Sequence, residues 1–430
     1  MEFMASDVST PPIAPLVAAS ASGAKLAPPA TEGRAWKLGF FAIAALMALF
    51  LLLRPVYYPY PPDHYVYLAH HLALGDLTVD NLPLDYGDYV NWNGHKYLPL
   101  GPLPGIVLIP FLPLLDAGLQ LAWIGHLFTL LSIWLLYRVL RRLQVPGEHR
   151  KWAILLSFGG TVYYSGALMG TAWYFAHIVA ITCLLVAISA ALGGRRTWLV
   201  GLFLGLAAMT RLTMLFALPF FLWILWRGTG RAGVGVPPSS RFAALTLLSL
   251  GLAGPLVLLF GYNYARFGNP LESGYGLAVM GGPVLGEALA YGLFSPVHIP
   301  KNLFMLLLQG PLPYPSADAP VLKFPYIQPT PWGMGIFFTS PAFVCIFKAR
   351  RSDPLVQACW LGVIFVMAPI ITYYGIGWVQ FGFRYALDFT LFLLLLTVCG
   401  WRGSLSNLVR GLVLLSVLIN LLGGIWLMLV

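Results

Sequence analysis

Asp63, Asp76, Asp80, Asp85 and Asp88 all fall within residues 61–104 and make up a third of the chain's fifteen acidic residues. The chain is 59% hydrophobic and only 9% charged, so this concentration of carboxylates points to chemistry. A carboxylate held at a membrane rim can take a proton from an incoming hydroxyl. Asp63 follows Pro61-Pro62 and precedes Tyr65, Leu68, His71 and Leu72 at helical spacing, with Gly75 as a stop. The position suits a helix N-cap as well as a general base, and the two roles are compatible. Asp85 and Asp88 flank Tyr86-Gly87, which fits an Asx-type turn or an acceptor contact and is not the DxD spacing of a metal–nucleotide site.

The cations with chemical potential are fewer. Arg211, in GLAAMTRLTMLF, interrupts an apolar stretch. A guanidinium there is costly unless it is paired, snorkels to the head groups or holds an anion, and its fork matches phosphate. Arg384 stands four residues before Asp388, a spacing open to an ion pair or to a substrate contact. Arg266 and Glu272, in YNYARFGNPLESGYG, suit a turn that braces the outer segment or an acceptor contact. The histidines outside the apolar runs and the cysteines Cys183, Cys345, Cys359 and Cys399 lack metal-ligand spacing, so neither metal nor cofactor is expected. His126 and His177 lie within apolar runs and are expected to hydrogen-bond between helices.

These residues must be positioned by membrane helices. The mean hydropathy is +0.79, and apolar runs recur from Leu38 to the end of the chain, leaving no stretch for a separate soluble domain. The net charge of +10 sits at alternate ends of these runs, which argues for membrane topology and against nucleic-acid binding. Residues 1–33 are rich in Ala, Pro and Ser and are expected to form a disordered cytoplasmic tail, with residues 38–53 as a signal anchor.

Residues 34–430 form one all-α transmembrane domain of about eleven spans: near 38–53, 117–140, 152–169, 173–192, two short helices breaking at Arg211 between 198 and 226, 242–262, 334–347, 355–374, 387–400 and 408–430. The break at Arg211 keeps Arg227, Arg231, Arg241, Lys348, Arg350 and Arg351 inside. Residues 61–104 and 263–333 then lie outside, and residues 101–114 and 302–309 are interfacial rather than spanning. The map places ten of the fifteen acids outside and eighteen of the twenty-five basic residues inside.

The order Asp63-x-Tyr65, Gly75-Asp76, Gly94-His95-Lys96-Tyr97 and a proline run resembles the first outer loop of GT-C glycosyltransferases. It looks most like their bacterial branch related to protein O-mannosyltransferases and the lipid A aminoarabinose transferase. The likeness extends through Arg211, ARFGNPLESGY and QFGFRYALDF, whereas His64 and Leu100 stand where such enzymes often carry a second acid or a lysine. The resemblance implies an inverting, metal-independent transfer of a sugar from a polyprenyl-phosphate donor to a hydroxyl of a lipid, glycan or protein at the outer face of the plasma membrane. Asp63 would be the catalytic base, with Arg211, Arg384 and Lys96 on the donor phosphate. A non-catalytic lipid or polysaccharide transporter and a structural membrane subunit are the competing readings.

Overall fold

The computed structural model describes residues 34–57, 63–83, 87–194, 196–230, 238–277, 282–315, 321–401 and 403–429. About 71% of the described residues are helical. Among the described residues six helices are long and apolar enough to cross a membrane: Arg34–Tyr57, Leu121–Arg142, Ala172–Gly193, Arg241–Phe267, Pro354–Thr372 and Asn407–Leu429. Their apolar side chains and helical backbone bonding, which three of them carry past an internal proline (Pro55, Pro255 and Pro369), suit a solvent that offers no hydrogen bonds. The Ala172–Gly193 helix lies at the centre, with 89% of its most apolar window buried, against 6% for the first helix. Leu38, Phe41, Leu49 and Leu52 of that first helix stay exposed, as lipid-facing side chains should.

Shorter elements fill the bundle. The stretch expected as one span over 152–169 is two helices, Gly147–Gly159 and Tyr163–Met169, parted where Thr161 Oγ1 caps the Tyr163 amide. The run around Arg211 is broken, as its charge predicts: Thr197–Thr210 is helical, Arg211 is extended at φ −144°, and a 3₁₀ segment leads into Leu218–Arg227. Gly201 and Gly251 let the Thr197–Thr210 and Arg241–Phe267 helices touch backbone to backbone, since a Cβ on either would meet a carbonyl oxygen at about 2 Å. The stretch near 334–347 is a four-residue helix, Ile336–Thr339, followed by a 3₁₀ segment, Pro341–Lys348. Leu387–Gly400 is helical and almost wholly buried.

Helix ends sort into two groups by what they touch. At one end Arg142 donates to Ser189, Arg410 bonds Glu148 at 2.5 Å, and Trp226 packs on Phe242. At the other end the Ala172 amide, Arg211 and the Arg384–Asp388 turn gather with the segment that follows the first helix. That segment holds a ten-residue helix, His64–Ala73, and a small hairpin that the helical reading of the sequence did not include. The hairpin pairs Val90–Trp92 with His95–Tyr97 across Asn93-Gly94, both at positive φ. Asn-Gly is a strong two-residue hairpin signal, and here it went unread. A second hairpin, Leu312–Pro315 with Leu322–Gln328, also departs from an all-helical chain.

Candidate functional site

Asp63 is extended at φ −102° and caps two helices at once. Its Oδ1 accepts from the Tyr65 amide at 3.3 Å, capping its own helix, and its Oδ2 accepts from the Ala172 amide at 2.8 Å. Ala172 opens the central helix, so the carboxylate also sits at the positive end of that helix dipole. Burial pushes the Asp63 carboxyl above its ordinary value, and His64 and the two amides pull against that rise. Around it, His64 Nε2 donates to the Gly87 carbonyl at 2.9 Å and Trp173 Nε1 donates to Asp88 Oδ2 at 2.8 Å. The loop is thereby tied to the start of the central helix through both Asp63 and Asp88, and Asp85 falls outside the described residues.

Arg211 occupies the backbone break and points its Nε at Asp388, 2.8 and 3.0 Å from the two carboxylate oxygens. Asp388 is fully buried and also accepts from His177 Nδ1 at 2.9 Å and Thr213 Oγ1 at 2.5 Å. His177 thus makes the interhelical bond expected of it. The i,i+4 spacing with Arg384 misdirects the reader, because Asp388's cation comes from 177 positions away. Arg384 instead donates Nη1 to the Trp378 carbonyl at 3.2 Å. The two guanidiniums nevertheless converge on one ring, Arg211 at 5.5 Å and Arg384 at 5.3 Å from the Tyr385 centroid. Among the described residues, Arg211 bonds protein through Nε alone, and its side chain keeps 18% exposure.

Tyrosines connect the acid to the cations. Burial raises the Tyr65 phenol; Tyr275 adds to the rise, Arg211 opposes it and Asp63 adds to it, so this hydroxyl lies in the field of both predicted site residues. Burial pushes the Tyr275 phenol up to about 12, with Arg211 opposing and Tyr385 and Asp88 reinforcing the rise. Tyr275 packs edge-on against Tyr373 at 6.3 Å, and Tyr373 against Tyr385 at 6.3 Å. No spacing rule marked these rings; GYG at 274–276 and TYYG at 372–375 are recognisable only once folded.

The remaining predicted residues serve as braces. Lys96 donates Nζ to the Leu82 carbonyl at 3.1 Å and lies over Tyr89, while its amide donates to Asp80 at 2.6 Å, so it is spent within the loop. Arg266 donates to the Leu98 carbonyl at 2.7 Å and to Asn263 at 2.9 Å, stapling the loop onto the Arg241–Phe267 helix. Glu272 Oε1 accepts from the Gly274 amide at 2.6 Å and closes the turn that presents Tyr275. The short helical stretch near 302–309, expected to be interfacial, is stapled by Asn302 Nδ2 to the carbonyls of Ile371 and Tyr373, at 2.9 and 2.6 Å. Beside it lies a cavity of about 430 Å³ lined by Tyr291, Val297, Lys301, Met305, Trp332 and Ile376. No protein-family profile, curated protein or solved structure matches the chain.

Proposed function

We propose that the chain is a GT-C-type glycosyltransferase that moves a sugar from a polyprenyl phosphate to an acceptor hydroxyl, with inversion and without metal. Adding Thr197–Thr210 and Leu218–Arg227 as separate crossings that turn at Arg211, and residues 147–169, residues 336–348 and Leu387–Gly400 as one crossing each, to the six long helices gives eleven spans, with the N-terminus inside and Asp63 and Arg211 at the outer face. The observation that carries the reading is the convergence of two guanidiniums on one ring with a carboxylate bonded to only one of them. Arg211 and Arg384 flank Tyr385, and only Arg211 is paired to Asp388. A buried surplus of positive charge at a membrane edge calls for an anion, and a lipid phosphate supplies one.

In the proposed step the acceptor oxygen forms a bond to the anomeric carbon as its proton passes to Asp63. The anomeric C–O bond to phosphate breaks, and polyprenyl phosphate leaves with the electron pair, its charge stabilised by Arg211 and Arg384. Lys96 has no part in it, being held within the loop. The cavity by Lys301 adjoins the tyrosines, since Lys301 Nζ donates to the Tyr374 carbonyl at 2.7 Å, and it offers the acceptor an approach.

The second reading, a non-catalytic binder or transporter of the same lipid, draws on Asp63 itself, because both its oxygens already hold amides. The purified chain in nanodiscs, given a polyprenyl-phosphate sugar and candidate acceptors, separates the two. Transfer that falls by roughly 10²–10⁴ in Asp63→Asn, with donor binding retained, supports catalysis. Donor binding without transfer in the wild type, or transfer indifferent to Asp63→Asn in a folded protein, overturns it.

A further inference from the structure

The end of the bundle remote from the Arg211 site holds the larger cavity, about 530 Å³, inside the roughly 300–1,000 Å³ range of small-molecule sites. It is remote because Leu387–Gly400 begins beside Asp388 and ends at the cavity, fourteen residues or roughly 21 Å later. The walls are the connection that carries Lys348, Arg350 and Arg351, the Gly400-Trp401 corner, and Ser404 to Ser406 before the last helix. No carboxylate is among the lining residues. Asp353, two residues after Arg351, caps the Leu355 amide at 2.8 Å, and Glu148, which meets Arg410, is not among the lining residues.

The cavity floor is rigid. Gly400 packs so closely that a Cβ there would meet the Cys345 carbonyl oxygen at 2.1 Å, and Trp401 is buried. Phe347, 71% exposed, is an apolar lining residue, and Leu408, next to the lining Val409 at the start of the last helix, is 66% exposed. Cations, serine hydroxyls and an apolar lip at a helix-bundle end match a phosphodiester head group whose acyl chains lie in the bilayer. A charge bias that only sets topology needs cations at this end, but it needs no concave space beside them.

We propose that this cavity holds the head group of an anionic phospholipid, with Arg350 and Arg351 on the phosphodiester and Ser404 and Ser406 on the glycerol side. The site is independent of the transferase reading and needs only a membrane around the bundle. The full chain is reconstituted in nanodiscs of phosphatidylcholine with or without phosphatidylglycerol, then extracted and weighed by native mass spectrometry. The wild type is expected to retain phosphatidylglycerol, and the Arg350→Ala/Arg351→Ala double variant to lose it at least several-fold. Ser404→Phe, which fills the space and keeps the charges, is expected to lose it as well. Arg141→Ala/Arg227→Ala removes the same charge from the same end outside the cavity and is expected to keep the lipid. Equal loss in both double variants, retention in Ser404→Phe, or displacement by inorganic phosphate would overturn the proposal.

Discussion

Asp63 and Arg211 carry charge for different reasons, and substitution should tell them apart. Arg211→Ala leaves Asp388 buried without its cation, a loss of about 3–5 kcal/mol in folding stability. Arg384→Ala removes one bond to a carbonyl and the second cation on Tyr385. It is expected to weaken binding of a polyprenyl phosphate by roughly 1–3 kcal/mol, as for a charge-assisted contact, with a smaller shift in melting temperature. Calorimetry and a lipid-binding titration on the two variants check the contrast, and equal destabilisation would remove Arg384 from the phosphate site. The raised Asp63 carboxyl sets the direction of the pH profile. A base works deprotonated, so transfer should rise with pH through a value above the ordinary 3.8, and the Asp63→Asn residue should lose that limb.

At the scale of the element, the first loop is positioned by a glycine and by its own acids. Gly101 lies against the end of the Thr197–Thr210 helix, where a Cβ would meet the Met209 carbonyl oxygen at 2.2 Å. Gly101→Ala is therefore expected to cost about 1–3 kcal/mol and to shift the segment beside Arg211, seen as a lower melting temperature. Asp80 is held below its ordinary carboxyl value by the His95 hydrogen bond and then by the Lys96 amide. A lowered carboxyl contributes stability above 3.8 and loses it as pH falls through its folded value, so the hairpin should become protease-sensitive in that acid window and Asp80→Asn should already show it near neutrality. Much of this was legible in the chain: the Asp63 cap and the break at Arg211 follow from residue type and spacing. The hairpin at Asn93-Gly94 carried a readable signal that helix counting passed over. The pairing of Arg211 with Asp388 carried none beyond the rule that a buried carboxylate requires a cation, because tertiary packing alone decides which one.

For the whole molecule, the two groups of helix ends make a prediction about sidedness. The four native cysteines are buried, so an introduced thiol can be read without background. Leu74 is 85% exposed on the loop, and Ser352 is exposed at the other end. Leu74→Cys and Ser352→Cys should be labelled by an impermeant reagent from opposite sides of a sealed membrane, and labelling of both from one side would dismantle the arrangement. Across the bundle, the carboxylate that fastens the first loop to the central helix has a second consequence. A proton received by Asp63 weakens its hold on the Tyr65 and Ala172 amides together. On the proposed reading, the event that ends a transfer would also loosen the first loop from the start of the central helix. Turnover would then be self-timed, each cycle opening the exit for its own product and closing it again when the proton leaves to water.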